Sequence, residues 1–156
     1  MNLARFLTEE RVDLRLDDAF DDEHEASVET LAAHMAELLT HSQQIVNATK
    51  LRVDLLNAER RSPTLPGHGL SMPHVRTLQA RRLVLAVGVS QAGLTELPTP
   101  DDEPVRLVIA MVGPTYDDKQ YLQVYKRLSE RLQDPDWLRT VLEAEAPGEV
   151  VRALSS

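Results

Sequence analysis

The segment VRLVIAMVGP, residues 105–114, decides the fold class of this chain. It is short, apolar and rich in β-branched side chains, so it predicts a buried β-strand that ends at Gly113 and Pro114. The segment RLVLAVGVS, residues 82–90, has the same character and predicts a second buried strand. Continuous apolar runs of this kind are typical of strands that are covered by other elements on both faces.

Amphipathic helical patterns lie on either side of these strands. Residues 27–42 carry apolar side chains at helical spacing behind Ser27, a suitable N-cap. Residues 117–133 begin with Asp117 and have Gln120 three positions later, which is a capping-box arrangement. The remaining predicted elements are a strand over 12–16, helices over 42–61, 134–145 and 147–154, and loops over 17–26, 65–77 and 93–104.

Interleaved strands and helices predict an α/β fold with one sheet covered by helices, although the strand order does not follow from the sequence. A length of 156 residues predicts a single domain over residues 1–156. With 0 cysteines, disulfides and thiolate metal sites are excluded. The net charge of −8 argues against nonspecific nucleic-acid binding. The N-terminus resembles neither a signal peptide nor a membrane span, so we expect a cytoplasmic protein.

The loop LPGHGLSMPHVRT, residues 65–77, contains the candidate site, because it places two of the five histidines among glycines and prolines. A metal site is disfavoured, since His68 and His74 are two ligands where zinc takes three or four from the protein. Ser71 lies near His74 but is not in the strand–GxSxG–helix turn of a hydrolytic nucleophile. The Walker pattern of nucleotide-binding loops is absent as well.

Phosphate chemistry fits the loop better than these alternatives. Gly67 and Gly69 allow backbone N–H groups to approach a phosphoryl oxygen, because neither residue has a Cβ atom. Hydroxyl groups and a positive charge are available nearby, from Thr64, Ser71 and Arg76. A neutral imidazole such as that of His74 is nucleophilic near pH 7 and can accept a phosphoryl group. A turn with an incidental histidine remains the alternative.

The stretch TLPGHGLSMPH, residues 64–74, resembles the phosphorylation site of enzyme IIA domains of the bacterial phosphotransferase system, in the mannitol/fructose and nitrogen-regulatory class. That family's pattern reads roughly T-G-I-G-N-G-[VI]-A-[IV]-P-H. The segments EPVRLVIAMVGP (103–114), YLQVYKRLSERL (121–132) and MNLARFLTEERVDLRL (1–16) are also similar to the family's strand, helix and N-terminal segment. The resemblance covers essentially the whole chain.

The resemblance implies a mixed sheet flanked by helices on both faces, with His74 as the phosphoryl acceptor. Thr64, Gly67 and Gly69 would shape its pocket. The donor implied is the phosphohistidine of the small phosphocarrier protein HPr, and the recipient is a IIB domain or a regulated protein. Neither a metal nor a cofactor is expected. Because no transmembrane or fused domain accompanies the chain, a regulatory role is slightly favoured over sugar transport.

Three positions depart from the family pattern. Tyr121 occupies the place of a second histidine that contacts the active-site histidine or the phosphoryl group. Ala58 stands where the family has an arginine, although Arg60 or Arg61 can supply the charge from a shifted position. His68 replaces an asparagine, and either takes over the task of the second histidine or is merely tolerated there.

These departures leave two hypotheses of different kinds. In the first, the chain is a phosphohistidine carrier or regulatory phosphoacceptor. In the second, it is a binding module of the same fold that regulates a partner by contact, without phosphotransfer. Removing one preorganised donor from an anionic transition state costs on the order of 3 kcal/mol, and two such losses would slow the reaction strongly.

Overall fold

The computed structural model describes residues 1–155, which fold around one sheet of five strands. Short 3₁₀ turns precede and follow the first strand. The strands are β1 (Val12–Asp13), β2 (Leu70–Ser71), β3 (His74–Arg76), β4 (Val84–Leu94) and β5 (Val105–Gly113), and the helices are α1 (Val28–Leu39), α2 (Ala48–Arg61), α3 (Asp118–Arg131), α4 (Pro135–Leu142) and α5 (Pro147–Leu154).

The sheet is mixed, with the order β1-β4-β5-β2 and with β3 also paired to β5. The two long strands β4 and β5 are antiparallel, as a chain reversal between neighbours requires. β1 is parallel to β4, and both β2 and β3 are parallel to β5. The predicted α/β class and mixed sheet are therefore confirmed.

Helices cover both faces of the sheet, because successive side chains of β4 and β5 point to opposite sides. Leu85, Val87 and Ile109 pack with α3, α4 and α5 on one face. Ala86 and Val108 pack with α1 and α2 on the other. Alternate residues of one apolar run thus belong to two separate cores, which is why these strands read as continuously hydrophobic.

Most predicted elements are present, and their caps are those read from the sequence. Ser27 accepts a hydrogen bond from the backbone N–H of Thr30 at the start of α1. Asp117 accepts one from Gln120 at the start of α3, and Asp134 caps α4 ahead of Pro135. A side-chain acceptor at the N-cap satisfies an amide that has no partner inside the helix.

Several predicted bounds were wrong, and two short strands were missed. The second helix starts at Ala48 rather than near residue 42, because Asn47 caps it and the backbones of Gln44 and Val46 hydrogen-bond to those of Arg81 and Gln79 instead. The first strand ends at Asp13, where a 3₁₀ turn follows from Leu16. The glycine-rich loop contains the two short strands β2 and β3. Strands of two or three residues are too short to show a hydrophobic periodicity.

No helix within residues 1–155 is both long enough and apolar enough to cross a membrane.

Candidate functional site

His74 is the first residue of β3 and is fixed by the sheet. It lies opposite Met111 of β5, whose backbone N–H donates to the carbonyl of Pro73 over 2.9 Å. At the other end of β3, the Thr77 hydroxyl donates to the Asp54 carboxylate of α2 over 2.6 Å. The backbone that carries the imidazole is therefore held from both sides.

The His74 ring has a defined tautomer. Its Nδ1 atom lies 2.7 Å from the carbonyl oxygen of Met72. A carbonyl oxygen only accepts hydrogen bonds, so Nδ1 carries the proton and donates it. In the neutral ring the lone pair is then on Nε2, which makes Nε2 the nucleophilic atom.

A buried carboxylate lies behind the imidazole. The Glu59 side chain of α2 is 4% exposed. It accepts hydrogen bonds from the Thr64 amide (3.2 Å) and the Thr64 hydroxyl (3.3 Å). The same hydroxyl oxygen is 3.5 Å from Nδ1 of His74. Burial raises the pKa of Glu59, and the Thr64 hydrogen bonds together with the charge of His74 partly offset this rise.

The raised pKa of Glu59 predicts a pH dependence of stability that Glu59→Gln removes. A folded-state pKa above the ordinary 4.5 means that the folded chain binds this proton more tightly than the unfolded chain. Ionisation therefore costs folded-state stability as the pH rises from about 4.5 through the raised pKa. We expect the stability of Glu59→Gln relative to wild type to improve over that pH range. Urea unfolding at a series of pH values measures this difference, and a difference that stays constant or falls with pH would contradict it.

Two tyrosines of α3 face the imidazole. The ring centroids of Tyr125 and Tyr121 lie 5.1 Å and 6.4 Å from that of His74. The Tyr121 ring packs against Gly113, where an added Cβ atom would lie 2.9 Å from the ring. Glycine at this position therefore allows the tyrosine to lie directly on the strand.

The Tyr121 hydroxyl is buried and has no hydrogen-bond partner within residues 1–155. Burial raises the pKa of Tyr121 above its ordinary value of 10, so the phenol is neutral at physiological pH. A buried hydroxyl without a partner costs about 1–3 kcal/mol. It is a donor without a partner in the described residues, on a side chain whose ring neighbours the His74 imidazole.

Two further sequence candidates, Arg76 and Ser71, lie in different parts of the fold. The Arg76 guanidinium pairs with Asp118 and lies over the Tyr121 ring, 5.4 Å from its centroid, so it belongs to the rim of the site. Ser71 is buried on the opposite side of β2, where it lines a small cavity with Glu59. The structure does not bring the Ser71 hydroxyl to His74, because alternate residues of a strand face opposite sides.

The missing arginine is not replaced from a shifted position by Arg60. That side chain points to Glu29 of α1, at 3.8 Å. No group of three or more histidine, aspartate or glutamate side chains within residues 1–155 is arranged to hold a metal ion.

The glycine loop has a left-handed backbone over three residues. The φ angles of Gly67, His68 and Gly69 are 93°, 57° and 77°. The His68 amide donates to the Asp101 carboxylate over 2.8 Å, and the Gly69 carbonyl accepts from the amides of Arg106 and Leu107. Asp101 thus occupies the amide of His68, which lies between the two glycines that the sequence suggested for phosphate. The Gly67 and Gly69 amides as phosphoryl donors stay a prediction.

The backbone of His68 predicts that His68→Asn is harmless. Asparagine adopts the left-handed region more readily than other non-glycine residues, so the substitution suits a φ of 57°. We expect unchanged or slightly increased stability, and phosphorylation equal to or faster than that of wild type. Thermal unfolding and the phosphorylation rate test this. A rate loss beyond about tenfold would show that His68 has a catalytic task.

A largely apolar cavity of about 560 Å³ opens beside the imidazole. Thr64, Tyr125 and the side chain of His68 line it on the side of the site. Its apolar walls are Pro66, Leu70, Met72, Leu132, Pro135 and Leu138. The recess lies between the glycine loop and helices α3 and α4, and its wall includes Thr64 and Tyr125, which neighbour the His74 ring.

Two residues of this site were not among the sequence candidates. Glu59 follows Leu51 and Leu55 at intervals of four residues, so it lies on the apolar face of α2. A carboxylate on a buried helical face is a signal that the sequence did offer. Asp101 had no such signal, because its contact depends on how a separate loop returns to residues 67–69.

The fold and this loop together define a known class of protein. Residues 14–156 match the family model "Phosphoenolpyruvate-dependent sugar phosphotransferase system, EIIA 2". The chain belongs to this family. It is also 22% identical over 151 residues to the "PTS system fructose-specific EIIABC component" of Bacillus subtilis, covering 97% of this chain and 22% of that protein. The chain thus spans about a fifth of the length of that relative.

Solved structures share the fold. The nitrogen regulatory protein IIA-Ntr from Neisseria meningitidis superimposes with a TM-score of 0.79 at 19% identity, covering 97% of both chains. Enzyme IIA-mannitol of Escherichia coli, in its complex with phosphorylated enzyme IIB-mannitol, gives a TM-score of 0.71 at 19% identity, covering 95% of this chain and 96% of that one. The expected mixed α/β architecture of the enzyme IIA domains is therefore confirmed.

Proposed function

We propose that this protein is a phosphoryl carrier that accepts a phosphoryl group on Nε2 of His74. The observation that carries the proposal is the 2.7 Å contact between His74 Nδ1 and the Met72 carbonyl. In the neutral ring it directs the lone pair to Nε2, which is then the nucleophilic atom. Membership of the EIIA 2 family supports the same chemistry.

Transfer then follows from the groups around the ring. Nε2 of His74 attacks the phosphorus atom of a phosphohistidine on the donor. A new N–P bond forms, the donor's N–P bond breaks, and its electron pair returns to the donor ring. The His74 ring gains positive charge in this step, which the Met72 carbonyl and the Glu59 carboxylate stabilise. The phosphoryl oxygens gain the Tyr121 hydroxyl as a donor.

The donor proposed is the phosphocarrier protein HPr, and the recipient is a IIB domain or a regulated protein. The complex of an enzyme IIA with a phosphorylated enzyme IIB among the structural relatives supports the second partner. Exposed apolar side chains on the segments beside Arg76 and Tyr121 suit protein docking, since exposed apolar patches mark interaction surfaces. They are Leu78 (79% exposed), Tyr116 (77%) and Leu122 (61%).

The function is tested by measuring transfer of the phosphoryl group from HPr to this protein and from this protein to a IIB domain. The protein is incubated with enzyme I, HPr and phosphoenolpyruvate, and its intact mass is followed. We expect a gain of one acid-labile phosphoryl group, and its loss when a IIB domain is added. No gain, with HPr itself shown to be phosphorylated, would contradict the proposal.

A second candidate function is regulation of a partner by contact alone. One observation favours it: Tyr121 fills the place of the second histidine, and its neutral phenol cannot act as an imidazole. The outcome of the phosphotransfer experiment separates the two functions, because a contact regulator binds its partner without gaining mass.

A further inference from the structure

A second cavity, of about 220 Å³, lies apart from His74. It is enclosed by the N-terminal segment, the turn after α1, the start of β4 and the start of α3. Three arginines line it: Arg5, Arg11 and Arg82. Ser42, Gln44 and Gln120 add further polar side chains. Although the chain has a net charge of −8, no aspartate or glutamate within residues 1–155 lines this cavity.

Arg11 is a buried cation without a counter-charge. It is 7% exposed, and its Nε and Nη2 atoms donate to the carbonyl oxygens of Leu85 (3.0 Å) and Phe6 (3.1 Å). Both acceptors are neutral, and no carboxylate of the described residues forms an ion pair with Arg11. Burial lowers the pKa of Arg11, and the attraction of the exposed Glu10 offsets this only in part.

Arg5 and Arg82 add positive charge from the surface. The Arg5 guanidinium lies over the Phe6 ring, 5.2 Å from its centroid, which holds it at the cavity wall. Neither Arg5 nor Arg82 forms an ion pair with a carboxylate within residues 1–155. Three guanidinium groups thus share one small recess, although like charges repel and a buried unpaired charge is costly.

We propose that this cavity binds a small phosphate-bearing anion, either inorganic phosphate or a short phosphomonoester. The guanidinium group matches phosphate oxygens with two parallel N–H donors, and an anion supplies the counter-charge that Arg11 lacks. The volume is below the roughly 300–1,000 Å³ of pockets for drug-sized ligands, which limits the ligand to a few atoms beyond the phosphate.

This site is independent of the phosphoryl transfer proposed for His74, but it borders the same helix. Gln120 lines the cavity in the first turn of α3, and the next residue, Tyr121, contacts the His74 ring. An anion bound there would lie next to the residue that precedes Tyr121 in α3.

Binding is tested by isothermal titration calorimetry at constant ionic strength. The probes are inorganic phosphate, glycerol 3-phosphate and, as a carboxylate control, succinate. We expect saturable binding of at least one phosphate compound, weakened about tenfold or more in Arg82→Gln, because a charge-assisted bond is lost. Arg82 is exposed, so this variant is expected to fold. The tighter phosphate compound identifies which source of phosphate the site prefers.

Two further variants separate this site from His74. Arg81→Gln removes the same charge one residue away, outside the cavity, and is expected to bind phosphate within about twofold of wild type. His74→Gln is expected to bind phosphate as wild type does, whether or not it can be phosphorylated. The proposal is overturned if neither phosphate compound binds, or if succinate binds as tightly as they do. It is also overturned if Arg81→Gln weakens phosphate binding as much as Arg82→Gln does. Loss of phosphate binding in His74→Gln, with binding kept in Arg82→Gln, would overturn it as well.

Discussion

His74→Gln is expected to abolish phosphorylation completely while leaving the protein folded. The substitution removes the one nucleophilic nitrogen that the Met72 carbonyl prepares, and a glutamine amide is not nucleophilic. Loss of the hydrogen bond between the His74 side chain and the Met72 carbonyl lowers the free energy of unfolding by about 1 kcal/mol. Intact mass after incubation with phosphorylated HPr measures the loss, and thermal unfolding checks the fold.

His24→Gln is the matched control for this prediction. His24 is an exposed histidine whose Nδ1 lies 3.0 Å from the carboxylate of Asp21, away from the sheet. We expect this variant to accept one phosphoryl group at the wild-type rate. Phosphorylation that persists in His74→Gln would place the phosphoryl group on another residue and refute the assignment.

Tyr121→Phe is expected to make the protein more stable and the phosphoryl transfer slower. In the absence of phosphate the buried hydroxyl has no partner within residues 1–155, so its removal stabilises the fold by about 1 kcal/mol. In the proposed mechanism the same hydroxyl donates to a charged phosphoryl oxygen, so we expect its loss to slow transfer about 10- to 100-fold. Urea unfolding and the rate of mass gain measure the two effects.

Tyr116→Phe provides the matched control, since it makes the same chemical change near the start of α3. The Tyr116 hydroxyl donates to the carbonyl of Arg81 over 2.6 Å, so its removal is expected to lower stability or leave it unchanged. The transfer rate of Tyr116→Phe, measured with saturating donor, should equal that of wild type. A wild-type rate in Tyr121→Phe would show that the buried phenol does not contact the phosphoryl group.

The fold was predictable for the long elements, whose hydrophobic pattern or capping residue is visible in the local sequence. The apolar runs of β4 and β5 and the caps of α1, α3 and α4 are local features, so the sequence identifies them without tertiary information. β2 and β3 have two and three residues and exist because β5 offers them hydrogen bonds. Such strands depend on a distant partner, and no local pattern encodes them.

The site was predictable in part. Thr64 and Tyr121 lie next to the His74 imidazole, whereas Ser71 faces the other side of the sheet, since a strand alternates its side chains. The backbone amide of His68 donates its hydrogen bond to Asp101, which is 33 residues away in sequence. Contacts between residues so far apart in sequence depend on how the sheet assembles, and residue spacing along the chain does not predict them.

The central claim is that Nε2 of His74 carries the phosphoryl group, and nitrogen NMR tests it most directly. Protein labelled with ¹⁵N in its histidine rings is phosphorylated through HPr, and couplings between ¹⁵N, ¹H and ³¹P are recorded. We predict phosphorus bonded to Nε2 of His74, with Nδ1 still protonated toward the Met72 carbonyl. Phosphorus on Nδ1, on another histidine, or on no histidine would contradict the account.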